Sequence, residues 1–222
     1  MKLTIGKRPA SLTTTVEVVE RLKRTSTGTL GHLTDFGFAE GLHPLMRPSK
    51  AVGIAYTVRV PQLDSAAMQY ALGDVRAGEA LVIDTSGERR RALWGGIVAH
   101  AAKRAEVAAV VIDGPITDWE EVIEAGVPVW CRGTSSLTGR RLGLEGEVLV
   151  PIQVGGARVE PGDIVLADSD GVFIIPRLQA SQRSSEMLER DAKEPGVRAR
   201  LDAGEKLPDI TGLSEMIGTT HV

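Results

Sequence analysis

Residues 73–118 read GDVRAGEALVIDTSGERRRALWGGIVAHAAKRAEVAAVVIDGPITD. Two apolar runs, at 80–83 and 108–112, each stop at an aspartate, Asp84 and Asp113, followed closely by glycine. Short apolar runs ended by turn residues are the pattern of buried strands. Between them, Trp94-Gly95-Gly96 opens an alanine-rich stretch with helical spacing. Further on, a helix is expected from about 118 to 124, then a strand in VPVWCRG (127–133). Strand, helix, strand, helix, strand implies right-handed crossovers and a largely parallel sheet.

Upstream, AVGIAYTVRVP (51–61) places Val52, Ile54, Tyr56, Val58 and Val60 at period two, the mark of a strand. Residues 65–72 predict a short helix. Residues 11–23 predict another, with Leu12, Val16, Val19 and Leu22 on one face and Ser11 or Thr13 as N-cap. TSTGTLGHLTDFG (25–37) reads as a long loop. Downstream, residues 147–176 carry several β runs joined by Gly-Gly, Pro-Gly and Asp-Gly turns, so antiparallel pairing is expected there. A helical stretch follows over 177–192, and beyond Pro195 the tail is polar and weakly patterned. No internal repeat or linker divides the chain. The expectation is one α/β domain over 1–222, with a parallel βαβ region, a β-rich C-terminal half and a tail from about 195.

Composition narrows the function classes. A formal charge of −3 gives no basic footprint for nucleic acid and no polybasic patch for membranes. Neither a secretory segment nor an apolar run of membrane-spanning length is found, so a cytoplasmic protein is expected. The single cysteine, Cys131, rules out an internal disulfide and a Cys-rich zinc site; it sits in an apolar strand and reads as buried and inert. His32, His43, His100 and His221 have no metal-ligand spacing. His32 and Asp35 lie in the glycine-rich loop, where they could line a subunit interface.

The order within 73–118, the Asp-Gly-x-x-x-Asp of 113–118, PVWCRGTS (128–135), VGGARVEPGD (154–163) and PGDIVLADSDGVFIIP (161–176) together resemble the RraA-like family. That family includes the class II pyruvate aldolases acting on 4-hydroxy-4-methyl-2-oxoglutarate. The resemblance covers nearly the whole chain in order. It implies a swivelling β/β/α-type fold and assembly as homotrimers or paired trimers, with the site at a subunit interface. It also implies a small carboxylate substrate and a divalent metal, Mg²⁺ or Mn²⁺. In the family's aldolases the aspartate closing Asp-Gly-x-x-Arg-Asp anchors the metal, and the preceding arginine contacts the pyruvyl group. Backbone amides at the glycine-led helix start hold the carboxylate. A hard cation suits carboxylate and water ligands and polarises a 2-oxo oxygen, and a helix N-terminus offers free N–H groups to an anion.

Carried onto this chain, the resemblance makes Asp118 the metal ligand and Gly95, Gly96, Ile97 and Val98 the carboxylate-binding helix start. Asp113 positions the loop, Arg132 matches an arginine of the following strand, and Glu194 matches a C-terminal glutamate that reaches a neighbouring subunit's site. Two positions depart from the pattern. Thr117 stands where the aldolases carry arginine, and Gly96 where many carry an acid. A neutral hydroxyl cannot make the bidentate, charge-assisted contact of a guanidinium. Such a loss is worth roughly 2–4 kcal/mol of transition-state stabilisation, or about two to three orders of magnitude in rate. Arg132, or one of Arg89, Arg90 and Arg91, is the candidate for the missing charge; the three adjacent arginines also read as a solvated turn.

Thr117-Asp118-Trp119-Glu120 has a second reading as a Ser/Thr-x-x-Glu capping box, with Thr117 as N-cap and Glu120 reaching back. A cap at 117 and a ligand at 118 are compatible, because a helix start still projects into the crevice beyond the strand ends. Asp84, ending its strand, is expected to face that same crevice or to serve its turn. The functional expectation is a divalent-metal-dependent lyase, cleaving or decarboxylating a small 2-oxo or hydroxy acid. The alternative is a non-catalytic regulator that binds an RNA-degrading enzyme, as some members of the family do. A methyltransferase reading lacks the glycine-rich nucleotide loop and acidic ribose anchor it would need.

Overall fold

The computed structural model describes residues 2–10 and 15–217, apart from the side chain of Thr15. The N-caps expected at Ser11 or Thr13 lie outside the described residues, as does His221. In chain order the elements begin β1 (Lys2–Ile5), α1 (Thr15–Leu22), α2 (Thr27–Gly31), β2 (His43–Pro44) and β3 (Lys50–Arg59). The crossover region comprises α3 (Ala66–Asp74), β4 (Glu79–Asp84), α4 (Gly96–Arg104), β5 (Ala109–Ile112), α5 (Trp119–Ala125) and β6 (Val129–Cys131). The β-rich half holds β7 (Glu145–Val148), β8 (Ile152–Val154), β9 (Ala157–Val159), β10 (Ile164–Asp168) and β11 (Val172–Ile175). Helices α6 (Ala180–Asp191), α7 (Glu194–Asp202), α8 (Leu207–Thr211) and α9 (Leu213–Met216) end the described chain.

Strand β3 is the hub of the main sheet. On one edge it pairs in parallel with β4, from Ile54↔Glu79 to Arg59↔Asp84. Its other edge is shared: β10 runs antiparallel along residues 50–54, and β7 antiparallel at Val58 and Arg59. Parallel pairing continues from β4 to β5 and from β5 to β6, as the two crossovers require. The sheet order is β1-β7-β3-β4-β5-β6-β2, with β10 and β11 attached through β3. Gly53 sits in β3 where backbone and neighbours crowd: a Cβ there would meet the Ala80 Cβ at 2.9 Å.

The two faces of the sheet bury different partners. Tyr56, Val58, Leu81, Ile83, Val110 and Ile112 point towards α3, α4 and α5. Ala55, Val82, Val111 and Trp130 point the other way, onto the β8–β9 hairpin through Ile152, Val154 and Val159. Both faces being covered explains why β4 and β5 are unbroken apolar runs rather than alternating ones. A third cluster packs α1 and α6 on β10 and β11 through Leu22, Leu166, Phe173 and Met187. This is the α/β architecture expected, with the hairpins antiparallel.

Three departures from the sequence reading concern short or exposed elements. The loop expected over 25–37 contains α2, started by Ser26, whose hydroxyl accepts the Thr29 N–H at 3.1 Å. Strand β1 forms by parallel pairing with β7, a contact invisible in four residues of which three are exposed. The weakly patterned tail is helical, yet α7, α8 and α9 bury no residue. Inside the fold, the fully buried Asp64 accepts N–H bonds from Leu144 at 2.6 Å and from Leu142 and Ala66 at 3.0 Å. Burial works against its charge, but these backbone donors outweigh it and hold the carboxyl below its ordinary range.

Candidate active site at the start of helix α4

The chain leaves β5 at Ile112 and reaches α5 through Asp113-Gly114-Pro115-Ile116-Thr117-Asp118. The Thr117 N–H donates to the Trp94 carbonyl at 2.9 Å and the Ile116 N–H to the Gly133 carbonyl at 2.9 Å, so the loop is stitched between its neighbours. Asp118 is the N-cap of α5 in the left-handed region, φ 53° and ψ 49°. Aspartate tolerates that region better than most residues.

That backbone setting corrects the capping box. Thr117 is not the N-cap, and no side chain caps α5. A box needs an extended N-cap residue; the left-handed turn at 118 instead carries its carboxylate away from its own helix. Asp118 Oδ2 accepts the Gly96 N–H at 3.1 Å, at the start of the neighbouring α4, and Oδ1 accepts the Thr117 hydroxyl at 3.2 Å. Gly95, extended and without any cap side chain, lets this happen: a Cβ on it would lie 2.5 Å from Asp118 Oδ2.

Glu121 is the residue that sequence reading missed. A Cβ on Gly96 would lie 1.9 Å from its Oε2 and 2.8 Å from its own Cβ. The acid absent at position 96 is thus matched by one on the first turn of α5, packed against the bare glycine. The signal was present in the spacing: residues 118 and 121 fall on one side of a helix start, but the capping-box pattern drew the reading to Glu120, which makes no such contact.

Next to this contact lies a crevice of about 160 Å³, whose walls include Met68, Gln69, Leu93, Trp94, Val98 and Thr117. Gly95 and Asp118 line it, and Ile97 at its edge is 83% exposed. No Lys, Arg or His is among its lining residues. A larger cavity of about 290 Å³ lies beside the first residue of β4, lined by Arg8, Glu79 and Arg177 among others. Arg8 there is paired with Glu79 and with Asp74, so its charge is already matched, and none of the expected site residues reaches it.

The remaining expected residues are placed elsewhere. Asp113 accepts from Arg132 Nε, from Arg89 Nη1 at 2.6 Å and from the Gly155 N–H at 2.9 Å, tying three loops together. Arg132 also donates to the carbonyls of Gly41 at 3.3 Å and Glu40 at 3.1 Å. Both guanidiniums are therefore held at Asp113, and within the chain neither lines the crevice to stand in for Thr117. Arg91 donates to the carbonyl of Thr138, a crevice residue, at 3.2 Å. Asp84 does not face the crevice; it pairs with Arg59 at 3.2 Å and accepts the Ser86 N–H at 2.8 Å, which is the turn role. Glu194 lies on exposed α7, paired with Arg198 at 3.0 Å, and is not brought to Asp118 within the chain. Cys131 is buried, and burial pushes its thiol pKa up.

Among the described residues no three His, Cys, Asp or Glu side chains converge as a metal cluster. The acids at α4 fit a cation that takes one or two carboxylates and completes its shell with water, as Mg²⁺ does; they do not fit the nitrogen and sulfur ligands of zinc.

A family model described as RraA-like, Aldolase/RraA, matches residues 16–174. A candidate 4-hydroxy-4-methyl-2-oxoglutarate aldolase of Halalkalibacterium halodurans is 36% identical over 138 residues, which are 62% of this chain and 65% of that protein. The match thus spans just under two thirds of that relative's length. The 4-hydroxy-4-methyl-2-oxoglutarate aldolase of Thermus thermophilus is 34% identical over 136 residues, 61% of this chain and 82% of its own. In three dimensions the chain is similar to RraAS2 of Streptomyces coelicolor, described as an unusual member of the RNase ES inhibitor RraA protein family. The TM-score is 0.74 at 30% identity, covering 87% of this chain and 98% of that one. Among the described residues no helix is long and apolar enough to cross a membrane.

Proposed function

The chain belongs to the RraA-like family, and from that premise we propose that it is a divalent-metal-dependent lyase that cleaves or decarboxylates a small 2-oxo or hydroxy acid. The observation that carries this reading is the carboxylate of Asp118, set by a left-handed backbone against the Gly96 N–H at the open end of α4. Asp118, with Glu121 beside it, would hold Mg²⁺ or Mn²⁺ through carboxylate oxygens and water. When bound, the cation supplies Lewis-acid polarisation of the substrate's 2-oxo oxygen.

The rest of the work falls to the chain. The Gly96 N–H is taken by Asp118, and the N–H groups of Ile97 and Val98, without intrahelical partners, orient the substrate carboxylate. Met68, Leu93 and Val98 exclude water from one side of it. Thr117 offers one hydroxyl, now turned to Asp118, where the family's aldolases have arginine. The positive charge, if the chemistry needs one, comes from Arg91 at the rim or from a neighbouring copy in a homotrimer or paired trimers. In such an assembly Glu194, with α7 free on the surface, would reach the next subunit's site.

Calorimetry tests this reading. Mg²⁺ titrated into EDTA-treated protein with oxalate present should bind saturably, and Asp118→Ala should abolish the binding. Failure of the unaltered protein to bind the cation would remove the lyase reading.

The regulatory reading has its own support. The likeness to RraAS2 spans 87% of this chain at 30% identity, and Thr117 is of no consequence to a protein that only binds another. A regulator would bind its enzyme equally well with or without the cation, which a pull-down in EDTA distinguishes.

A further inference from the structure

Trp94 lines the crevice immediately before Gly95 and Gly96, and no part of it reaches solvent. Its indole Nε1–H is the one buried side-chain polar atom among the described residues without a hydrogen-bond partner. The contrast with Trp130 is direct: that ring is as deeply buried, yet its Nε1–H donates to the Asp168 carbonyl at 2.8 Å. Trp119 is 47% exposed and can use water. Buried donors in folded proteins nearly always find an acceptor, and the exceptions mark a bound water, a ligand or a working site. A phenylalanine would fill the same core space with nothing left unpaired.

The surroundings narrow the acceptor. Trp94 lines the same crevice as Ile97 and Val98, whose free N–H groups in the first turn of α4 are the natural seat of a carboxylate. A donor in the same crevice beside that seat matches an oxygen on the carbon beside the carboxylate, the 2-oxygen of a 2-oxo or 2-hydroxy acid. An indole is a neutral donor, and the lining residues include no cation, so a second carboxylate would find no charge partner there. We infer, resting on the site reading above, that Trp94 is a substrate-binding residue whose indole N–H donates to the uncharged 2-oxygen of the bound acid.

The test is ¹⁵N-indole NMR on the full chain in Mg²⁺, titrated with pyruvate and, separately, with propionate, which lacks the 2-oxygen. The Trp94 resonance, assigned through bond connectivities, should move downfield with pyruvate and stay in place with propionate. Trp94→Phe should weaken pyruvate binding about tenfold, the worth of one buried hydrogen bond, and propionate binding less than about twofold. Three results would overturn the inference: pyruvate binding that leaves the resonance unmoved, pyruvate binding unchanged in Trp94→Phe, or a free-protein indole already bonded to a permanent water. Should Trp94→Phe not fold, the unaltered protein's resonance still decides. If neither acid binds, the lyase reading fails as well; if pyruvate binds while Trp94 is silent, only this inference does.

Discussion

Thr117 carries a single hydroxyl, and that hydroxyl is already directed at Asp118. A guanidinium at the same place would add a fixed positive charge with several donors at a crevice whose lining holds none. Thr117→Arg should therefore raise kcat/KM for cleavage of 4-hydroxy-4-methyl-2-oxoglutarate by about two orders of magnitude. Pyruvate release coupled to NADH oxidation by lactate dehydrogenase measures it, and an unchanged rate would mean the charge arrives from elsewhere. Asp64 makes a prediction of a different kind. Its folded carboxyl is held below the unfolded value of about 3.9. Its contribution is therefore complete above that value and drains away as pH falls through the lower folded pKa. Asp64→Ala should cost about 2–4 kcal/mol at neutral pH, read from urea midpoints. Its stability should also be less sensitive to acid than that of the unaltered chain below about pH 4.

At the scale of elements, α4 and α5 meet at glycine. Because a Cβ on Gly96 would overlap Glu121, Gly96→Ala should push the helices apart and cost about 1–3 kcal/mol, typical of overpacking. Adding Glu121→Gly should recover part of the loss, and thermal melts of the two variants decide it. The elements legible in the sequence are those whose own residues fix their state. Strands β4 and β5 are continuous apolar runs that each stop at an aspartate, and α4 is alanine-rich behind a double glycine. Strand β1 and helix α2 were not legible, because a few exposed or small residues take their form from partners distant in the chain, Glu145–Val148 for one and Asp168 for the other. The site divides the same way. Asp118 and the glycines follow from their position after a strand and before a helix. The pairing of Arg132 with Asp113, and of Glu121 with Gly96, depends on how loops and helices cross, which no local pattern encodes.

For the whole molecule, stability is unevenly spread. Helices α7, α8 and α9 bury nothing in their own chain, whereas β3, β4 and β5 are buried on both faces. Backbone amides of residues 194–216 should exchange with deuterium orders of magnitude faster than those of β4 and β5 in a monomer. Protection of the tail that disappears on dilution would instead reveal a neighbouring copy covering it.

The shared edge of β3 also bears on how the protein is made. A ribosome delivers β4 soon after β3, so one side of that strand can pair early. The other side waits for β7 and β10, which lie in residues 145–168. At ordinary elongation rates of about 5–20 residues per second, that apolar edge stays open for on the order of 5–20 s. Nascent chains halted before residue 145 should accordingly cling to holding chaperones, and release should coincide with the emergence of the β10–β11 hairpin.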